Sequence, residues 1–108
     1  MATLDNLLKL IGTPRDGALL RFSLGNELLK AGEAVQAVVH LRVAVEKDPY
    51  YSAAWKMLGK ALVDAGQPGE ALDCYRQGIA VAEDRGDIQA AKEMRVFVRR
   101  LERSSDSA

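Results

Sequence analysis

The chain has 108 residues, with fifteen basic and fifteen acidic side chains and a formal charge of zero. That length allows one domain with one core and leaves no room for a deep enclosed pocket beside it. Balanced charge excludes a surface that attracts nucleic acid or anionic membrane as a whole, and the lone Cys74 excludes an internal disulfide and fits a reducing compartment.

From the N-terminus, Leu4, Leu7, Leu8 and Ile11 have the spacing of one helix face, ending at Gly12. Thr13 to Asp16 reads as a helix start, with Thr13 as N-cap, Pro14 as first helical residue and Asp16 near the positive dipole end. The next helix is expected over 14–31, stopped by Gly32. A further helix over 34–47 ends at Asp48, which Pro49 biases out of the helical region. Helices over 51–65, stopped by Gly66, and over 68–84 follow, and Arg85 and Gly86 separate them from a last helix over 87–103. Residues 104–108 read as a frayed, disordered tail. Helices are thus expected throughout, in a single domain, without strand or linker.

No apolar run is long enough to span a bilayer. Met1 to Ile11 has neither the basic leader nor the apolar length of a signal peptide, so the expected location is cytoplasmic, without a membrane partner.

Residues 18–51 read onto 52–85 at an offset of 34. Leu24 meets Leu58, Gly25 meets Gly59, Leu28 meets Leu62, Gly32 meets Gly66, Ala37 meets Ala71 and Arg42 meets Arg76. These positions fall where two antiparallel helices touch and where the chain turns between them, and a helical hairpin of this period means a solenoid.

The residues that carry the period resemble the tetratricopeptide repeat. Trp55, Leu58, Gly59, Ala71 and Tyr75 match that family's framework in the second repeat; Leu24, Gly25, Ala37, Ala44 and Pro49 match it in the first. The resemblance implies an all-α superhelix of antiparallel helix pairs. Residues 1–13 would form an N-terminal half-repeat helix, with Leu7 and Ile11 packing as Leu41 and Val45 do, 18–51 and 52–85 two full repeats, and 87–103 a C-terminal capping helix. Two departures stand out: Arg21 replaces a large apolar residue, and Glu83 stands where the family often has proline, so the third unit is expected to be displaced by about two residues.

In this family the first helix of each repeat lines a concave groove for a peptide or helix of another protein. Carried over, those positions are Leu19, Phe22, Asn26 and Leu29 in the first repeat, and Ala53, Lys56, Lys60 and Val63 in the second. On the displaced last helix they are Gln89, Lys92, Val96 and Arg99. Such a groove is apolar at one end and basic at the other, suited to a segment with a hydrophobic anchor and carboxylates. The alternative reading of Lys56, Lys60, Lys92 and Arg99 is a solvated face. A clamp for acidic chaperone tails fits poorly, because only Asn26 falls on its set.

His40 is the only histidine and has no second ligand at metal spacing. No phosphate loop or nucleophile elbow is present, so neither an enzyme nor a cofactor is expected. Lys92, Arg95, Arg99 and Arg103 form a stripe on the last helix, open to nucleic-acid or acidic-protein contact or simply favoured by the helix dipole; with zero net charge no nucleic-acid partner is expected. The expected function is a protein-binding module, monomeric or weakly homo-oligomeric. The alternative is a self-assembly unit that stacks through its terminal helices.

Overall fold

The computed structural model describes residues 2–107 and is all-helical over them. Six helices follow one another: α1 (Ala2–Leu8), α2 (Ala18–Lys30), α3 (Ala34–Lys47), α4 (Ser52–Asp64), α5 (Pro68–Asp84) and α6 (Ile88–Ser107). Each packs on its chain neighbour, and the skips α2 to α4 and α4 to α6 complete a slab of 43 × 31 × 18 Å. α2 pairs with α3 and α4 with α5, as antiparallel hairpins starting 34 residues apart.

The turns explain the period. Gly32 and Gly66 both take φ +79°, which lets the chain reverse. After α2, the amide of Glu33 donates to Leu28 O (2.9 Å) and that of Gly32 to Leu29 O (3.0 Å). After α4, Gln67 donates to Leu62 O (2.8 Å) and Gly66 to Val63 O (3.0 Å). Both are Schellman closures, which satisfy the last carbonyls of the helix and fix where the next one starts.

Each hairpin closes over a glycine. A Cβ on Gly25 would run into the Leu41 side chain, and one on Gly59 into the Tyr75 ring. Leu24, Leu41, Leu58, Leu62 and Met94 are the largest side chains sealed inside. Burial of each such side chain contributes about 1.5–3 kcal/mol, so the hairpins are held by this seam rather than by helix propensity. Gly78 of α5 repeats the device towards the last helix. A Cβ there would lie 2.6 Å from Met94 Sδ and 2.8 Å from Trp55 Cβ.

α6 repeats α4 with a displacement. Ala54, Leu58 and Leu62 recur as Ala90, Met94 and Val98, each 36 residues on and each buried. α5, which runs through Glu83 to Asp84, is three residues longer than α3, and the turn after it is one residue shorter, which gives the net two.

Three expectations are corrected. α2 starts at Ala18, not at residue 14. Thr13 caps nothing there: its Oγ1 donates to Leu10 O (2.6 Å) and accepts from the Arg15 amide (3.2 Å), while the Asp16 carboxylate turns back to the Gly12 amide (2.9 Å). Residues 13–17 are therefore a compact turn. α1 stops at Leu8 because the next amides tighten to bonds three residues back, Leu10 to Leu7 O and Ile11 to Leu8 O. That turn leaves Ile11 36% exposed, whereas Val45 is buried, so Ile11 does not pack as Val45 does. Finally, α6 runs on through Ser107, past the start of the tail expected at 104–108. Its last turns contain no glycine or proline to stop them; Ala108 lies outside the described residues.

Candidate functional site

Gly59 allows the Tyr75 ring to lie directly against α4, which makes Tyr75 the floor of the interval between α4 and α6. The Phe97 ring of α6 meets it with centroids 5.4 Å apart, tilted by 44°. Above them opens a cleft of about 330 Å³. Its apolar surface comes from Met57 and Val63 of α4, Tyr75 of α5, and Phe97 and Leu101 of α6.

Charged groups rim this surface. Lys56 Nζ lies 3.2 Å from Glu93 Oε2, and Gln89 Nε2 donates to the other Glu93 oxygen at 3.3 Å. The Lys56 hydrogen bond is the main cause that holds the Glu93 carboxyl below its ordinary pKa. Lys60 reaches Asp64 only at 4.0 Å, along its own helix. Arg100 stands over the Phe97 ring at 6.0 Å. Burial, reinforced by Asp64, pushes the Tyr75 phenol up to about 12, so it stays neutral. Lys60 and Arg100 are the cations at the mouth least committed to a carboxylate, and both are exposed. The site holds an apolar anchor and offers charge to what flanks it; nothing in it is arranged as a nucleophile with a base.

Of the residues expected to line the groove, Lys56, Lys60 and Val63 are brought together here. Phe22 and Leu29 are half-buried against the core, and Phe22 stacks on Tyr51 with centroids 5.0 Å apart. Asn26 is half-buried, and Leu19 stands 68% exposed at the start of α2. Lys92, Val96 and Arg99 are not in the cleft. At 100° per residue they lie roughly 100–160° round α6 from Phe97. α6 contributes Glu93, Phe97, Arg100 and Leu101 instead. A cleft between two helices needs the forward face of one and the backward face of the next, and copying forward positions from repeat to repeat misses the second. The signal that could have found these α6 residues is amphipathy: Phe97 and Leu101 share one arc of α6 with Ala90, Met94 and Val98, and Glu93 and Arg100 flank it.

A second polar cluster lies at the other end of the slab. Arg21 Nε and Nη2 donate to the two Asp16 oxygens at 2.8 and 3.0 Å, and its Nη1 lies 3.1 Å from His40 Nδ1. A guanidinium only donates, so Nδ1 accepts and the His40 proton sits on Nε2. The Arg21 hydrogen bonds, then the Gly12 amide, hold Asp16 well below the usual carboxylate range. Burial, then the Arg21 charge, lowers the His40 pKa, with Asp16 opposing. Arg21 thus ties the 13–17 turn to α2 and α3. Three further groups make structural contacts or are buried: Arg85 donates to Tyr50 O (2.6 Å), Asp87 accepts from Ser52 Oγ (2.9 Å), and Cys74 is a half-buried thiol whose pKa burial raises.

Known proteins with this arrangement are at hand. A model of the tetratricopeptide repeat matches residues 28–94. Over 101 residues the chain is 48% identical to the TPR repeat-containing protein PA0015 of Pseudomonas aeruginosa, covering 94% of this chain and 96% of that protein. The solution structure of protein BPP2914 from Bordetella parapertussis superposes with a TM-score of 0.82 at 40% identity, over 96% of this chain and 90% of that one. A tetratricopeptide repeat domain protein from Salinibacter ruber gives 0.74 at 30% identity, over 81% and 97%. With the period, the glycine crossings and these likenesses in agreement, the chain belongs to the tetratricopeptide repeat family.

Proposed function

We propose that this chain is a protein-interaction module that holds a segment of a partner in the cleft between α4 and α6, by equilibrium binding and without chemistry. Tetratricopeptide repeats in general mediate contacts between proteins, as scaffolds rather than enzymes. The observation that carries the finer reading is the apolar floor of Tyr75, Phe97 and Leu101 beneath Lys60 and Arg100. It suits an aliphatic or aromatic anchor flanked by a carboxylate. A cleft of this size holds few side chains, so affinity on the order of micromolar is expected. No helix among the described residues is long and apolar enough to cross a membrane, and we place the module in the cytoplasm.

Selection from a random peptide library tests it, comparing wild type with a Val63→Glu, Arg100→Glu variant. Both side chains reach solvent, so the fold should tolerate the changes. Wild type is expected to enrich peptides that pair an apolar anchor with Asp or Glu, and the variant to lose them. Equal enrichment by both proteins would sink the reading. Self-assembly through the terminal helices is the second reading, favoured by Leu8 (42% exposed) and Ile11 at the N-terminal end. Sedimentation at two concentrations decides it, since a peptide-binding monomer keeps its mass.

A further inference from the structure

α4 and α6 carry corresponding stripes 36 residues apart; that of α4 is covered at Ser52, Lys56 and Gly59, and that of α6 is open. On α4 the stripe is Ser52, Lys56, Gly59 and Val63; on α6 it is Ile88, Lys92, Arg95 and Arg99. Steps of four, three and four residues keep each set on one helix face. The α4 stripe is where the following elements dock. Ser52 is buried and its hydroxyl donates to Asp87 at 2.9 Å, Lys56 meets Glu93 at 3.2 Å, Gly59 lies under Tyr75, and Val63 faces the cleft beside Leu101. α4 therefore receives α6 through two acids, Glu93 within it and Asp87 just before it.

On α6 the same face is open and more basic. Ile88 is 65% exposed, and Lys92 and Arg99 are exposed. Of the described acids of α6, Glu93 lies on the flank turned to Lys56, and Glu102, at the edge of the stripe beside Arg95, is paired with Arg76 at 3.0 Å. Arg95 takes the position of Gly59 and is held to Glu83 at 2.6 Å. We propose that the outer stripe of α6, Ile88, Lys92, Arg95 and Arg99, docks an acidic helix of a partner protein, as the matching stripe of α4 receives α6. This surface is distinct from the cleft. Carboxylates on the incoming helix meet Lys92 and Arg99, and an apolar side chain covers Ile88.

Two features select this occupant. The exposed isoleucine within the stripe suits an apolar side chain of a protein helix, which a phosphate backbone does not offer. Arg95 in place of a glycine bars the close crossing that Gly25 and Gly59 permit, so a second copy cannot continue the solenoid in its own geometry.

The test is fluorescence anisotropy with a labelled amphipathic peptide of about four helical turns, bearing Glu and Leu at helical spacing on one face. Its counterpart with Gln for Glu serves as control. The acidic peptide should bind wild type, and Lys92→Glu with Arg99→Glu should weaken it by about tenfold or more. Lys92→Gln with Arg99→Gln should give an intermediate loss, and Ile88→Ser a loss of roughly threefold or more. The cleft would itself take a Leu beside a Glu, so the series is run with Val63→Glu closing it; the peptide should still bind in that background, which separates this surface from the one above. The proposal fails if the charge reversals or Ile88→Ser leave binding intact, if Val63→Glu abolishes it, or if the Gln peptide binds equally. It fails as well if an arbitrary DNA duplex binds tighter than the peptide, or if the face instead drives a concentration-dependent mass that the reversals remove. Circular dichroism of each variant confirms that these exposed changes leave the helices in place.

Discussion

The two hairpins share a backbone plan, and two of their many sequence differences decide what each one offers. Where the first has Arg21 and His40, the second has Trp55 and Cys74, each 34 residues on. Where the first closes Gly25 with Leu41, the second closes Gly59 with Tyr75. In the first hairpin the polar pair reaches back through Asp16 to secure the turn before α2. In the second, the Trp55 indole donates to Pro49 O at 2.8 Å and secures the hairpin's own entry. Leu41 ends inside the core, whereas the Tyr75 ring extends to Phe97 and floors a cleft. Framework residues set the crossing of the helices, and the variable residue packed on the glycine sets what the surface offers.

The sharpest break in that comparison is Gly59→Ala against Gly25→Ala. The new methyl at 59 meets the Tyr75 ring, which moves only as a planar unit, while at 25 it meets the smaller branched end of Leu41. Gly59→Ala is expected to cost about 1–3 kcal/mol from overpacking, less the ~1 kcal/mol that alanine gains in helix propensity. Gly25→Ala should cost less. Thermal unfolding reads the difference at roughly 4–8 °C per kcal/mol for a domain of this size, and equal losses would show that the ring is no stiffer a neighbour than the leucine.

His40 gives a pH signature to the first hairpin alone. Its folded pKa is depressed below the ordinary 6.5, so on acidification the unfolded chain takes the proton first. Its contribution to stability is complete above that value and is lost as pH falls below it, through the lowered folded pKa. His40→Gln keeps an acceptor for Arg21 and should flatten this part of the profile. Urea midpoints at about pH 7.5 and about pH 5 measure it. A variant whose midpoint still shifts as wild type does would place the titration elsewhere.

The smallest effect is expected for Arg42→Ala. Its ion pair with Glu70 links α3 to α5, but the side chains are 43% and 53% exposed. Loss of such a pair costs about 0–1 kcal/mol, and the urea midpoint should move little; a larger shift would mean that Arg42 braces the two hairpins.

Much of this was legible in the sequence because glycine acts locally. Gly32 and Gly66 stop helices whatever surrounds them, and Gly25 and Gly59 are small for one neighbour each. The turn at 13–17 was not legible, since Thr, Pro and Asp suit a helix start and a tight turn equally; Arg21, from the following helix, decides between them. The cleft was half legible. Lys56, Lys60 and Val63 belong to a repeating face, but Glu93, Phe97, Arg100 and Leu101 enter it only because α6 is displaced by two residues and turned towards α4.

The thin slab has a consequence for how the chain comes apart. With each helix resting on its immediate neighbours, and the two skips as the longest reach between helices, few contacts join distant parts of the chain. Low contact order favours fast folding, and nearest-neighbour coupling lets opening proceed from an end rather than all at once. Among the described residues α1 packs on α2 alone of the helices, so it is the natural first element to open. Amide exchange would then grade along the chain, slowest around α4, which is the one helix gripped by four others.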